Sequence, residues 1–378
     1  MSDVFTCEKG NAPFSQAKTS TIGCDITPLR LLRPGDTVAI IATSGPVDAS
    51  RLAKGVEVIK SMGLEPMVME SCRHQHGFLA GPDDVRLRDL HMAFQMPTVR
   101  GIFVARGGYG AGRLLPYVDF ELIRQNPKVF VGYSDVTALH IAINQRCGLV
   151  TFHGPMPAAD LWRGDEVTIE SLRSMIFKCQ CKCREAHHCA VGAALVSARA
   201  CENSTIAVQP SNCTIYILCG QTQGLPLQHA NRNLSLSCDA HRERKYCLLV
   251  NPPGHPLTTI VPGHATGKLT GGNLSLIAAS IGTPYEIDTR GCILFLEEVG
   301  EEPYSVDRLL LQLQQAGKLG DAAGIILGDF SPETLETLHI SVDEIIKPAQ
   351  KPTIAGLKCG HTSPNITLPL GAVVTIQA

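Results

Sequence analysis

Val129-Phe-Val-Gly-Tyr-Ser-Asp-Val-Thr137 decides the fold. It starts as an apolar run short enough to be a buried strand and ends in a pattern with helical spacing up to Gln145. Gly132 and Ser134 sit at the junction, where a serine hydroxyl is exposed at the top of a sheet, as in a nucleophile elbow. The new helix offers free N–H groups and the positive end of its dipole there. The pattern G-x-S-D lacks the second glycine of G-x-S-x-G, so Ser134 or Asp135 taken alone reads equally well as a helix cap.

The same alternation repeats upstream. Asp36–Ala42 is a strand that runs into Thr-Ser-Gly-Pro, and Arg51–Met62 has helical spacing. Leu64–Met69 reads as a strand, and Asp83–Met96 as a helix with acid at its favoured N-terminal end. Val99–Ala105 is a strand followed by Arg106-Gly-Gly-Tyr-Gly110, Val118–Asn126 is a helix, and Lys128–Gly132 is a strand. Strands alternating with helices imply an α/β fold with a mostly parallel sheet covered on both faces. Ligands on such sheets bind beyond the carboxyl ends of the strands.

The 378 residues suffice for about two domains. Lys+Arg total 33 against 35 Asp+Glu, so there is no basic excess for nucleic acid. No apolar run reaches the roughly 20 residues of a membrane span, and Met1–Ser20 carries no apolar stretch of a secretory signal. A cytoplasmic protein without nucleic-acid or membrane partners is expected. The organisation reads as a loose leader over 1–30, an α/β domain over 31–177, a Cys-rich insertion over 178–250, and a C-terminal domain over 251–378. Nine of the 15 cysteines fall between Cys179 and Cys247. Cys179-x-Cys181-x-Cys183 with His187, His188 and Cys189 suggests zinc, but zinc sites repeat a paired spacing such as C-x2-C. No metal or cofactor is expected, and the stretch is expected to be poorly packed and dispensable.

Ser134 needs a base, and the base needs an orienting acid. His361 follows Gly360 in a loop from which it could reach across an interface. Glu297 ends the strand Cys292–Glu297, while Glu298, Glu301 and Glu302 follow at once, and spacing does not choose among the four. The RGGYG turn lacks the order of a phosphate loop, and its N–H groups serve better as donors to an oxyanion. Trp162, the one tryptophan, reads as a packed aromatic.

Taken in order, RGGYG, GYSD, GGNLSLI, LFLEEVGEEPYSVDR, IILGDF and GHTSPNITLPLG resemble the LD-carboxypeptidase family of serine peptidases, which includes the muramoyltetrapeptide carboxypeptidases and the microcin C immunity proteins. The similarity covers about residues 31–175 and 255–371. It implies an α/β nucleophile domain with a smaller β-rich C-terminal domain, and a homodimer. It implies a triad of Ser134, Glu297 and His361, with an oxyanion hole from the amides of Asp135 and of Gly107 or Gly108. The implied substrate is a muropeptide, from which D-alanine is released by cleavage of an L-D bond; the immunity branch implies a peptidyl- or aminoacyl-nucleotide conjugate, and disablement by the insertion is the third alternative. Relative to the family, the chain stops sooner after LPLG, so a final strand is expected to be missing.

Overall fold

The computed structural model describes residues 29–177, 190–191, 214–218, 246–249, 251–252 and 254–378. Most of the expected leader, and the zinc reading of Cys179–Cys189, lie outside the described residues.

The first sheet contains β1 (Thr37–Ile41), β2 (Glu65–Val68), β3 (Val99–Val104), β4 (Val129–Gly132) and β5 (Thr151–His153), closed by the chain's fourteenth strand, β14 (Leu368–Leu370). Their order is β14-β5-β4-β3-β1-β2. β1 to β5 pair in parallel, and β14 alone is antiparallel. β4 is buried throughout, and β1 from Val38 onward, as continuous apolar runs in a doubly covered sheet must be. The helices match their sequence signals closely: Ala49–Ser61 is capped by the Asp48 side chain, and Asp83–Gln95 begins with Asp83 and Asp84. Where one helix was expected from Ser134, a 3-10 turn over Ser134–Val136 precedes the helix Thr137–Cys147, which ends on the left-handed Gly148.

The second sheet contains β6 (Ala190–Val191), β7 (Thr214–Leu218), β8 (Tyr246–Leu249), β9 (Thr258–Val261), β10 (His264–Asn273), β11 (Ile293–Glu297), β12 (Gly324–Leu327), β13 (Thr353–Ala355) and β15 (Val373–Gln377). Their order is β6-β8-β7-β15-β10-β11-β12-β13-β9. The centre, β10 to β13, is parallel; β9, β15, β7 and β8 join by antiparallel pairing, and β6 pairs in parallel with β8 at the edge. The architecture is therefore two helix-flanked, parallel-rich sheets.

Two findings differ from the sequence reading. Short strands within 178–250 join the second sheet: β7 pairs along β15, and Ile215 and Leu249 are buried among Leu269, Val374 and Ile376. A strand also follows LPLG, because Val373–Gln377 pairs antiparallel with His264–Lys268. Thr214–Leu218 is visible in sequence as a short apolar run, but its pairing with β15 is not, since the two strands lie far apart along the chain.

Candidate active site

β4 delivers Ser134 at the carboxyl end of the first sheet, and the backbone there is forced. Ser134 has φ +65°, the left-handed region that a non-glycine residue occupies only under constraint from its surroundings. The constraint is visible on both sides. Val136 N–H donates to Tyr133 O, and buried His140 bonds Thr151 Oγ1 and the Gly132 carbonyl at 2.8 Å each. Burial holds the His140 pKa down at about 4, so this imidazole is neutral and structural.

β11 delivers Glu297 at the carboxyl end of the second sheet, fully buried. His361 lies in the loop between β13, in the second sheet, and β14, in the first. That loop crosses the gap between sheets, which is why a residue so far along the chain meets Ser134. Its backbone is pinned by Thr168 and Ser171 of the helix Glu166–Ile176, whose hydroxyls accept from Asn365 N and Thr367 N at 2.9 Å.

The three side chains form one chain of hydrogen bonds. His361 Nε2 lies 2.9 Å from Ser134 Oγ, and His361 Nδ1 lies 2.8 Å from Glu297 Oε2. A carboxylate only accepts, so Nδ1 carries the proton and Nε2 is left to accept from the serine. A Cβ on Gly360 would sit 2.5 Å from Glu297 Oε2, so the residue before His361 has to be glycine for the carboxylate to fit. Burial presses the His361 pKa down, but the hydrogen bond and charge of Glu297, aided by Asp160, outweigh it and the pKa is raised.

Glu298, the neighbouring acid, points elsewhere. It accepts from Asn273 Nδ2, Ser275 N and Val299 N, tying the end of β10 and the helix start after it to the end of β11. Adjacent strand residues face opposite sides, and the structure brings only Glu297 to His361.

Asp135 and the RGGYG turn also meet at Ser134. The Asp135 carboxylate accepts from Ala111 N at 2.8 Å, anchoring the end of that turn. Its backbone N–H lies in the first turn of the new helix, where such donors lack intrahelical acceptors. A Cβ on Gly107 would lie 2.8 Å from Ser134 Cβ and 3.0 Å from Oγ, so only glycine lets this turn approach the hydroxyl. Buried Arg86 supports the turn from behind through the carbonyls of Gly110 and Thr43.

A cleft of about 330 Å³ opens over Ser134 and His361, lined also by Gly107, Gly108, Tyr133, Asp160 and three arginines. Tyr133 donates to Asp160 Oδ1 at 3.0 Å, and its ring stands edge-on to His361 with centroids 4.9 Å apart. Burial, above all, pushes the Asp160 pKa up to about 6. Asp160, Arg51 and Arg163 had no signal in sequence, because their role comes from facing this cleft and not from a motif. Trp162 packs against arginine side chains and donates to Ala159 O. Among the described residues no group of His, Cys, Asp and Glu is arranged to hold a metal ion, and no helix is long and apolar enough to cross a membrane.

A hydroxyl–imidazole–carboxylate chain at the meeting of two α/β sheets places the protein among hydrolase-like folds. Comparison with known proteins narrows this. The LD-carboxypeptidase N-terminal domain matches residues 38–154, and the LD-carboxypeptidase C-terminal domain matches residues 266–376. A probable murein peptide carboxypeptidase of Bacillus subtilis is 37% identical over 349 residues, covering 91% of this chain and 89% of that protein. The murein tetrapeptide carboxypeptidase of Pseudomonas aeruginosa is 26% identical, covering 90% and 92%. Among solved structures, the muramoyltetrapeptide carboxypeptidase from Oxalobacter formigenes has a TM-score of 0.61 at 27% identity, covering 90% of this chain and 99% of that one. An MccF-like protein from Bacillus anthracis has a TM-score of 0.67 at 25% identity, covering 93% and 99%. The chain belongs to the LD-carboxypeptidase family.

Proposed function

We propose that the protein is a serine-type LD-carboxypeptidase that releases a C-terminal D-amino acid, D-alanine, from peptidoglycan-type tetrapeptides. The observation that carries this reading is the unbroken chain Ser134–His361–Glu297, at 2.9 and 2.8 Å.

Each group has a role that its surroundings support. His361 Nε2 takes the Ser134 proton as Oγ attacks the carbonyl of the penultimate L-residue. Glu297 holds the tautomer and stabilises the imidazolium that forms. The amides of Asp135 and of Gly107 or Gly108 receive the oxyanion; removing one such donor typically costs about 10²–10³ in rate. His361 then protonates the departing amine, and water, activated by the same imidazole, resolves the acyl-enzyme. No step calls on a metal or cofactor, so EDTA should leave turnover unchanged. The same reading includes a homodimer and a cytoplasmic location, to be checked by light scattering at twice the chain mass and by cell fractionation.

The test is incubation with a tetrapeptide ending in D-alanine and, separately, with an aminoacyl-sulfamoyl adenylate, read by mass spectrometry. Loss of D-alanine from the first supports the proposal. Turnover of the second alone would favour a nucleotide-conjugate hydrolase, a reading kept open by the similarity to the MccF-like protein. Turnover of neither would point to an inactive family member.

A further inference from the structure

Arg51, Arg106 and Arg163 line the cleft beside Ser134 and His361. Among the described residues, no carboxylate lies within ion-pair distance of any of them. The acids that share the cleft are already engaged. Asp160 accepts from Tyr133 Oη and from Met156 N at 3.0 Å each, and Asp48 caps a helix by accepting from Arg51 N at 2.8 Å. Of the three, Arg163 acts on Asp160 through its charge, and Arg51 lies next to the Asp48 cap, whereas Arg106 has only carbonyl partners within hydrogen-bond distance among the described residues.

The three arginines are not equivalent. The guanidiniums of Arg51 and Arg163 lie over the Trp162 ring, 5.0 and 5.6 Å from its centroid. Arg106 is fixed differently: Nε donates to Gly107 O and Nη1 to Pro46 O, both at 3.2 Å. Carbonyl acceptors orient the guanidinium plane without neutralising it. Among the described residues Nη2 is left without a hydrogen-bond partner. The next residue, Gly107, abuts the Ser134 hydroxyl.

We infer that Arg106 receives the free C-terminal carboxylate of the peptide and thereby makes the site an exopeptidase, an inference that rests on the carboxypeptidase reading above. In such a substrate the terminal carboxylate lies one residue, about 3.3–3.6 Å of chain, beyond the carbonyl under attack. A guanidinium one residue along the turn from the group facing Ser134 is suitably placed for that oxygen pair. Arginine matches carboxylate with a fixed planar fork, which a lysine ammonium does not reproduce. An amidated or extended peptide would leave this charge without its anion.

The experiment measures kcat/KM on one tetrapeptide ending in D-alanine, prepared as free acid and as C-terminal amide. The parent should prefer the acid. Arg106→Gln should lose about 10- to 100-fold on the acid, the range for a hydrogen bond to a charged group, and change little on the amide, so the acid-to-amide ratio collapses. Arg106→Lys should recover part of it. Arg106 is exposed, so folding should survive, and circular dichroism checks this. An unchanged ratio in Arg106→Gln, equal losses on both peptides, or a ratio collapsing in Arg163→Gln instead would overturn the inference alone. A parent that turns over neither peptide would overturn the carboxypeptidase reading, and the inference with it.

Discussion

At the scale of single residues, the site depends on side chains whose neighbours differ sharply. Ser134 sits at φ +65°, a conformation costing of order 1–3 kcal/mol for a non-glycine residue. Ser134→Ala should abolish D-alanine release and leave far-UV circular dichroism unchanged. Ser134→Gly should be equally inactive but about 1 kcal/mol more stable than Ser134→Ala, because glycine adopts positive φ freely. Equal denaturation midpoints for the two variants would remove the claim of strain. Glu297 and Glu298 make a second contrast. Glu297→Gln should cost several orders of magnitude in kcat, whereas Glu298→Gln should lower stability, since Glu298 holds Asn273, Ser275 and Val299, and leave kcat nearly intact. The pH profile gives an independent check. As the proposed base, His361 would act only when neutral, so kcat/KM should rise with pH through a midpoint above the ordinary imidazole value of about 6.5. In Glu297→Gln the groups that raise this pKa are weakened while burial, which lowers it, remains. The residual activity of that variant should therefore show its acid limb at lower pH; an upward shift would contradict the assignment.

At the scale of elements, the parallel core was legible because each buried strand is a continuous apolar run and each helix carries its own cap or period. Val129–Gly132 and Ile293–Glu297 fall within a residue or two of where their apolar runs place them. The catalytic candidates were legible as residue types, but the choice of Glu297 over its neighbours came from resemblance and not from spacing. What composition hid was the edge of the second sheet. β7 and β8 lie amid polar, Cys-rich sequence, and their apolar residues gain meaning only by pairing with β15 and packing on Leu269 and Ile376. Ile215, 1% exposed, is the test of that packing. Ile215→Ala should cost about 2–5 kcal/mol, the usual range for truncating a buried isoleucine, measured by urea denaturation. Replacing the whole of 178–250 by a Gly/Ser linker should destabilise the fold by leaving β15 as an unpaired, aggregation-prone edge. The expected dispensability of that stretch for catalysis therefore does not extend to these strands. A linker variant as stable as the parent would show that the paired strands add nothing.

At the scale of the whole molecule, neither sheet holds a complete site. Ser134 belongs to the first, Glu297 to the second, and His361 to the loop that joins β13 to β14 across them. The precision of the site then depends on how firmly that loop is seated, and its seat is the first sheet: β14 pairs with β5, and Asn365 and Thr367 bond the helix Glu166–Ile176. A displacement of about 1 Å in a reacting group can cost roughly 10²-fold in rate, so packing beneath β14 should register in kcat as well as in stability. Leu368, 1% exposed on β14, and Leu90, fully buried on the inner face of the helix Asp83–Gln95, make a matched pair. Truncating either to alanine should cost about 2–5 kcal/mol. Only Leu368→Ala should also lower kcat, by about tenfold or more, at a temperature where both variants are fully folded. Leu90→Ala should keep the parent's kcat there, since its cavity lies away from the His361 loop. If both variants lose kcat in proportion to their stability, or neither does, then the loop is seated by its own hydrogen bonds and not by the strand that follows it.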